Sequence, residues 1–168
     1  RHFKDGADLA DAIIADVLDG LDQEIPREAD WRIQVRAWLE AIYRRLVATP
    51  QCVQMLITSR GLSVAWVHAT AELRRSLAAG GLEGRKLGEA VFWVSLTVGG
   101  FVQQMLATPL DKQIEGTIAA IDRLPPEELA EMAAVKAEVR DIFNHALDIM
   151  FWRMLASIGM LMPKKGRG

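Results

Sequence analysis

Two acid–histidine pairs are the first residues to weigh for chemistry. His68 and Glu72 stand four residues apart, as do Asp141 and His145, and on a helix that spacing puts both members on one face. Such a pair could hold a metal ion or relay a proton. Neither pair extends into the Glu-x-x-His repeats of a di-iron bundle. The chain also lacks a His-Glu-x-x-His run, a glycine-rich phosphate loop and a Gly-x-Ser-x-Gly elbow. A helical histidine beside an acid then reads as a hydrogen-bonded surface group. The single cysteine, Cys52, permits no intrachain disulfide and no thiolate cluster. The expectation is a protein that is not an enzyme, with no catalytic residues, no metal and no cofactor.

The composition narrows the class further. At 168 residues the chain fits one compact domain. Hydrophobic residues make up 51% and charged residues 25%, which favours a sizeable core over disorder. A net charge of −2 lacks the dense cationic surface that duplex DNA binding demands. Any DNA reader is therefore expected mostly outside these residues. The opening Arg1-His2-Phe3-Lys4-Asp5 carries no apolar signal region and no Met, as though cut from a longer chain. The apolar stretch from Leu87 to Leu106 is interrupted by Glu89, Ser95, Gln103 and Gln104, and falls short of the ~20 clean residues of a membrane span. No membrane partner is expected, and one cysteine suits a reducing cytoplasm.

The elements that must position any site are helical throughout, since no window alternates with a two-residue period. Asp5-Gly6 can cap a first helix over about Ala7 to Gln23, ended by Pro26. Asp30 offers an N-cap for a second, carrying Trp31, Val35, Trp38, Leu39, Ile42, Tyr43 and Leu46 on one stripe. Pro50 starts a short third helix to Thr58. A fourth is expected from Ser63 to Ala79, stopped by Gly80-Gly81. A fifth, the most apolar, covers Glu83 to Ala107, and a sixth Leu110 to Asp122. Pro125-Pro126-Glu127-Glu128 resembles a helical first turn, and a last long helix spans about Ala137 to Ile158. The tail at 163–168 reads as disordered.

The fifth and last helices are apolar on two sides. On the fifth, Leu87, Ala90, Val94, Thr97, Val98 and Phe101 gather opposite Gly88, Phe92, Ser95, Leu96, Gly99 and Leu106, with Gln103. On the last, Phe143, Leu147, Met150, Phe151, Met154 and Ile158 face away from Ile142, Ala146, Ile149 and Ala156. A surface helix keeps a polar face, so both must be covered twice. The expected solution is a homodimer with an isologous four-helix interface. It would use Gly88, Phe92, Ser95, Leu96, Gly99 and Gln103 with Phe143, Leu147, Met150, Phe151 and Met154. Burying ~1,000 Å² or more of such surface per subunit makes the dimer effectively obligate. A monomeric bundle with both helices central is the alternative.

The segment His2-Phe3-x-Asp5-x-x-x-Leu9 resembles the junction after the recognition helix in TetR-family transcriptional repressors. Gly6 and Ala7 stand where that junction usually has a lysine and an acid. A second match, Arg74 to Phe101 with Leu77-Ala78-Ala79-Gly80-Gly81-Leu82 and Thr97-Val98-Gly99-Gly100-Phe101, is similar to the segment after the ligand cavity in tetracycline-repressor-like members. Together with the helix order, the resemblance covers nearly the whole chain. It implies residues 1–7 as the remnant of a helix-turn-helix head, 8–162 as an all-α ligand-binding and dimerisation domain, and 163–168 as a tail. His2 and Lys4 match positions near DNA phosphates, which position a protein without reading sequence.

The same resemblance implies an effector cavity among the second to fifth helices. It would be lined by Leu39, Ile42, Tyr43, Leu56, Ser59, Trp66, Ala69, Val94, Thr97 and Phe101, mainly apolar with a few polar handles. Leu56 falls where tetracycline-binding members have a metal-coordinating histidine, and Leu39 where they have an amide. A metal-free, hydrophobic small effector is thus favoured, with Glu72 as a further polar contact unless it pairs with Arg74 or Arg75. The implied function is a repressor whose heads sit near 34 Å apart on operator DNA and let go when a ligand biases the first helix. A helical dimeric interaction module with a solid core is the competing reading.

Overall fold

The computed structural model describes residues 6–27, 30–58 and 63–163, apart from the side chains of 57 and 58. Among these residues there are nine α-helices and no strand. His2, Lys4, Ser59 and the tail at 164–168 lie outside the described residues.

Helix α1 (Gly6–Leu18) is shorter than its apolar stripe predicts. Gly20 takes a left-handed φ of 68° and turns the chain into a 3-10 turn over Leu21–Glu24. Glycine enters that region without a Cβ penalty. Arg45 then donates to the carbonyls of Val17 and Asp19, groups the end of α1 leaves without intrahelical partners.

Helix α2 (Trp31–Ala48) begins where the sequence predicts, with the Asp30 carboxylate accepting from the Arg32 amide at 2.9 Å. It is the central rod. Val35, Trp38, Leu39, Ile42 and Leu46 are all buried, and α1, α3 (Pro50–Thr58), α5 (Ala71–Ala79), α6 (Gly84–Ala107) and α9 (Ala146–Leu161) pack around it.

The predicted fourth helix is two, α4 (Val64–Ala69) and α5, parted at Thr70. Side chains take up the carbonyls at the break. The Trp38 indole Nε1 donates to the Ala69 carbonyl at 2.8 Å, while Arg74 and the Thr70 hydroxyl both donate to that of Val67. Such bonds compete with the helical ladder. At the end of α5, Gly81 (φ 103°) donates to Ala78 and Leu82 donates to Leu77. This paired closure is common at glycine helix stops, and Leu77 and Leu82 are buried beside it.

Helix α6 runs 24 residues without a break. Its inner line is Ala90, Val94, Val98 and Val102, all buried, at four-residue steps. Among the described residues it is the one helix long and apolar enough, by length and composition alone, to cross a membrane, a test that the core helix of a soluble protein also passes.

The last helix is also divided. Helix α8 (Pro126–Asn144) and α9 part at His145, whose ring Nδ1 and backbone amide both engage the Asp141 carbonyl. Helices α7 (Leu110–Ile121) and α8 form an arm with a small core of its own, built on Ile114, Ile121 and Val139. Phe143, assigned to the dimer face from sequence, is half-buried against that arm core. On α9 the faces are the reverse of those assigned from sequence. Phe151 and Met154 are each 1% exposed within the chain's own core, whereas Ile149, Trp152 and Met160 face out.

Candidate functional site

A cavity of about 420 Å³ lies between α2, α3, α4 and α6. Leu46, Val53, Leu56 and Trp66 form its apolar wall, with Ser63 at the start of α4. Phe92, Ser95, Leu96, Gly99, Gly100 and Gln103 of α6 form the opposite side. Gly99 and Gly100 contribute bare backbone there: a Cβ on either would meet nothing within 4 Å.

Of the ten residues assigned to the cavity from sequence, Leu56 and Trp66 line it. Leu39, Ile42 and Val94 are fully buried core. The Ala69 carbonyl is taken by Trp38, and the Thr97 hydroxyl by the Trp93 carbonyl at 2.8 Å. Tyr43 and Phe101 pack on each other, ring centroids 6.1 Å apart, away from the cavity. The rotation of α6 accounts for the difference. Its core line takes Val94 and Val98, which turns Ser95, Gly99 and Gln103 toward α3 and α4.

Five of the six α6 residues assigned to a dimer face therefore line the cavity, with Gly88 the exception. Phe92 and Leu96 are at the same time 60% and 59% exposed, so the cavity wall continues into an outward apolar surface. Leu147 and Met150, also assigned to that face, are half-buried against the main core.

Sequence reasoning missed Leu46, Val53, Ser63 and Gly100. Ser63 carried a readable signal, since a serine just before a helical run is a common N-cap; its Oγ accepts from the Trp66 amide at 3.2 Å. The cap is doubled from another helix. Asp11 of α1 accepts from the Ser63 hydroxyl and from the Ala65 amide at 3.1 Å. Those bonds, Ser63's first, hold the Asp11 carboxyl below its ordinary range against an opposing desolvation.

The side chains first weighed for chemistry stay apart from the cavity. His68 and His145 are exposed, and Asp141 serves as the helix-end partner of His145. Glu72 pairs with Arg75, while Arg74 closes α4. Cys52 is buried, and burial pushes its thiol pKa up, away from the reactive thiolate. Among the described residues no three His, Cys, Asp or Glu side chains gather to hold a metal.

No protein-family model matches the chain, and no curated protein matches it in sequence. Solved structures do match. The transcriptional regulator SCO7222, a TetR from Streptomyces coelicolor, superposes with a TM-score of 0.80 at 17% identity, over 96% of this chain and 80% of that one. The TetR family protein ActR from the same organism, in complex with (S)-DNPA, gives 0.73 at 14% identity, over 96% and 79%. ActR in complex with actinorhodin gives 0.65 at 18% identity, over 94% and 79%. The order and packing of these nine helices make this chain a TetR-like all-α fold.

Proposed function

We propose that the chain is the effector-binding and dimerisation domain of a one-component transcriptional repressor, which releases DNA when a small hydrophobic ligand enters the α2–α3–α4–α6 cavity. The observation that carries this reading is the cavity itself: apolar, of ligand size, in a fold shared with regulators one of which is seen with actinorhodin and with (S)-DNPA. A solid core would favour a plain interaction module instead.

The path to DNA runs through α1. In this reading a helix-turn-helix preceding α1 reads the operator, with His2 and Lys4 near phosphates, as the family resemblance implies. Ser63 belongs at once to the cavity lining and to the hydrogen bonds that tie α4 to α1. A ligand that shifts α4 thus biases the helix joined to the head. Only a difference in ligand affinity between the two head spacings can drive release.

The dimer uses the outward faces of α6 and α9. Gly88, Phe92 and Leu96 rise on α6, and Ile149, Trp152 and Met160 on α9. A patch of this kind is uncommon on a free monomer. The partner then also covers the cavity's α6 edge. A cytoplasmic location accords with this function.

The test is operator binding by the full-length protein, titrated with a ligand that raises its melting temperature. Operator affinity should fall as the ligand saturates. Equal affinity with and without saturating ligand overturns the coupling.

A further inference from the structure

The polar groups of the cavity are unequally occupied, and this bears on what it binds. The inference rests on the reading of the cavity as an effector site. The Ser63 hydroxyl is spent: it donates to Asp11 and accepts from Trp66. The side chains of Ser95, half-buried, and Gln103, exposed at the cavity's edge, have no hydrogen-bond partner among the described residues, although both line the cavity. They lie eight residues apart on one unbroken helix, so about 12 Å of axial rise separates them. Between them Gly99 and Gly100 leave the α6 backbone bare, with open space where side chains would stand. Across that floor stand Leu46, Val53, Leu56 and Trp66.

None of the lining residues that this chain supplies is charged. A ligand carrying a full charge would lose its hydration with no counter-charge in return. A neutral ligand with no polar group would cover the half-buried Ser95 hydroxyl without pairing it, and would leave the Gln103 amide at the cavity's edge unused.

We infer that the effector is an uncharged, flat, elongated aromatic molecule with a hydroxyl or carbonyl group near each end. Its rings lie on the Gly99–Gly100 floor against Trp66 and Phe92, one end bonded to Ser95 and the other to Gln103.

Three stilbenes of one shape test this on the full-length protein: trans-stilbene, its para,para′-dihydroxy derivative and its para,para′-dicarboxylate, followed by calorimetry. The dihydroxy compound should bind at least tenfold more tightly than stilbene, and the dicarboxylate more weakly than either. Ser95→Ala and Gln103→Leu should each weaken the dihydroxy compound about fivefold, one hydrogen bond's worth, and leave stilbene unchanged. Equal binding of the two neutral compounds, or tightest binding of the dicarboxylate, overturns the ligand class while sparing the effector site. No saturable binding of any of the three by folded protein overturns the effector reading itself.

Discussion

The Asp11 carboxylate on α1 accepts a hydrogen bond from Ser63, a residue of the cavity lining. One acid thereby closes the N-terminus of α4 from a different helix, doing in tertiary contact what a cap does locally. Its removal should loosen the polar tie between α1 and α4 and leave their apolar packing in place. We expect Asp11→Ala to lower unfolding free energy by about 1 kcal/mol, measured by urea titration.

The same contact has a pH signature. The Asp11 pKa is lowered in the folded chain, by the Ser63 bond above all. A depressed folded pKa contributes stability that is present above the unfolded value and lost as pH falls through the folded one. Wild type should therefore lose an increment of stability below the ordinary value of 3.8. Asp11→Asn should flatten that limb of the stability-versus-pH curve. An identical acid limb in both proteins counts against the contact.

The two faces of α9 should respond differently to substitution. Phe151 is core and Trp152 is outward. Phe151→Ala should cost about 3–5 kcal/mol of stability. Trp152→Glu should leave the helical signal intact and shift the mass seen by light scattering from dimer to monomer. A wild-type protein that is monomeric at micromolar concentration rules out the proposed interface.

The Trp38 indole bond to the Ala69 carbonyl is buried at the junction of α4 and α5. Trp38→Phe keeps an aromatic ring but strands that carbonyl. The expected loss is about 1–3 kcal/mol, together with the edge-on contact between Trp38 and Trp66. Thermal unfolding and tryptophan fluorescence together read both effects.

Filling the cavity should separate binding from folding. Gly99→Leu adds a side chain where nothing lies within 4 Å. Stability should hold, or rise by up to about 1 kcal/mol as a helical glycine is replaced. Binding of the dihydroxystilbene, followed by calorimetry, should be lost.

The helical class, the Asp30 cap, the Gly80-Gly81 stop and the two-sided apolar character of α6 are local properties, and each was legible in residue order. Periodicity marks which residues share a face, since 3.6 residues per turn is fixed by the backbone. It does not say which of two apolar faces meets the core. On α9 the core took Phe151, Met154 and Ile158, leaving Trp152 outside, and on α6 the rotation that buries Val94 turned Ser95 and Gly99 into the cavity wall. The breaks at Thr70 and His145 were equally hidden. At Thr70 the decisive group is Trp38, thirty-one positions before the Ala69 carbonyl it takes, and a distant donor competing for a helix carbonyl leaves no trace in the local pattern. At His145 the ring competes for a carbonyl of its own helix, a bond that spacing permits but does not require. The cavity exists only where four helices fail to fill the space between them, and that depends on how whole helices pack, which no single stretch of chain encodes.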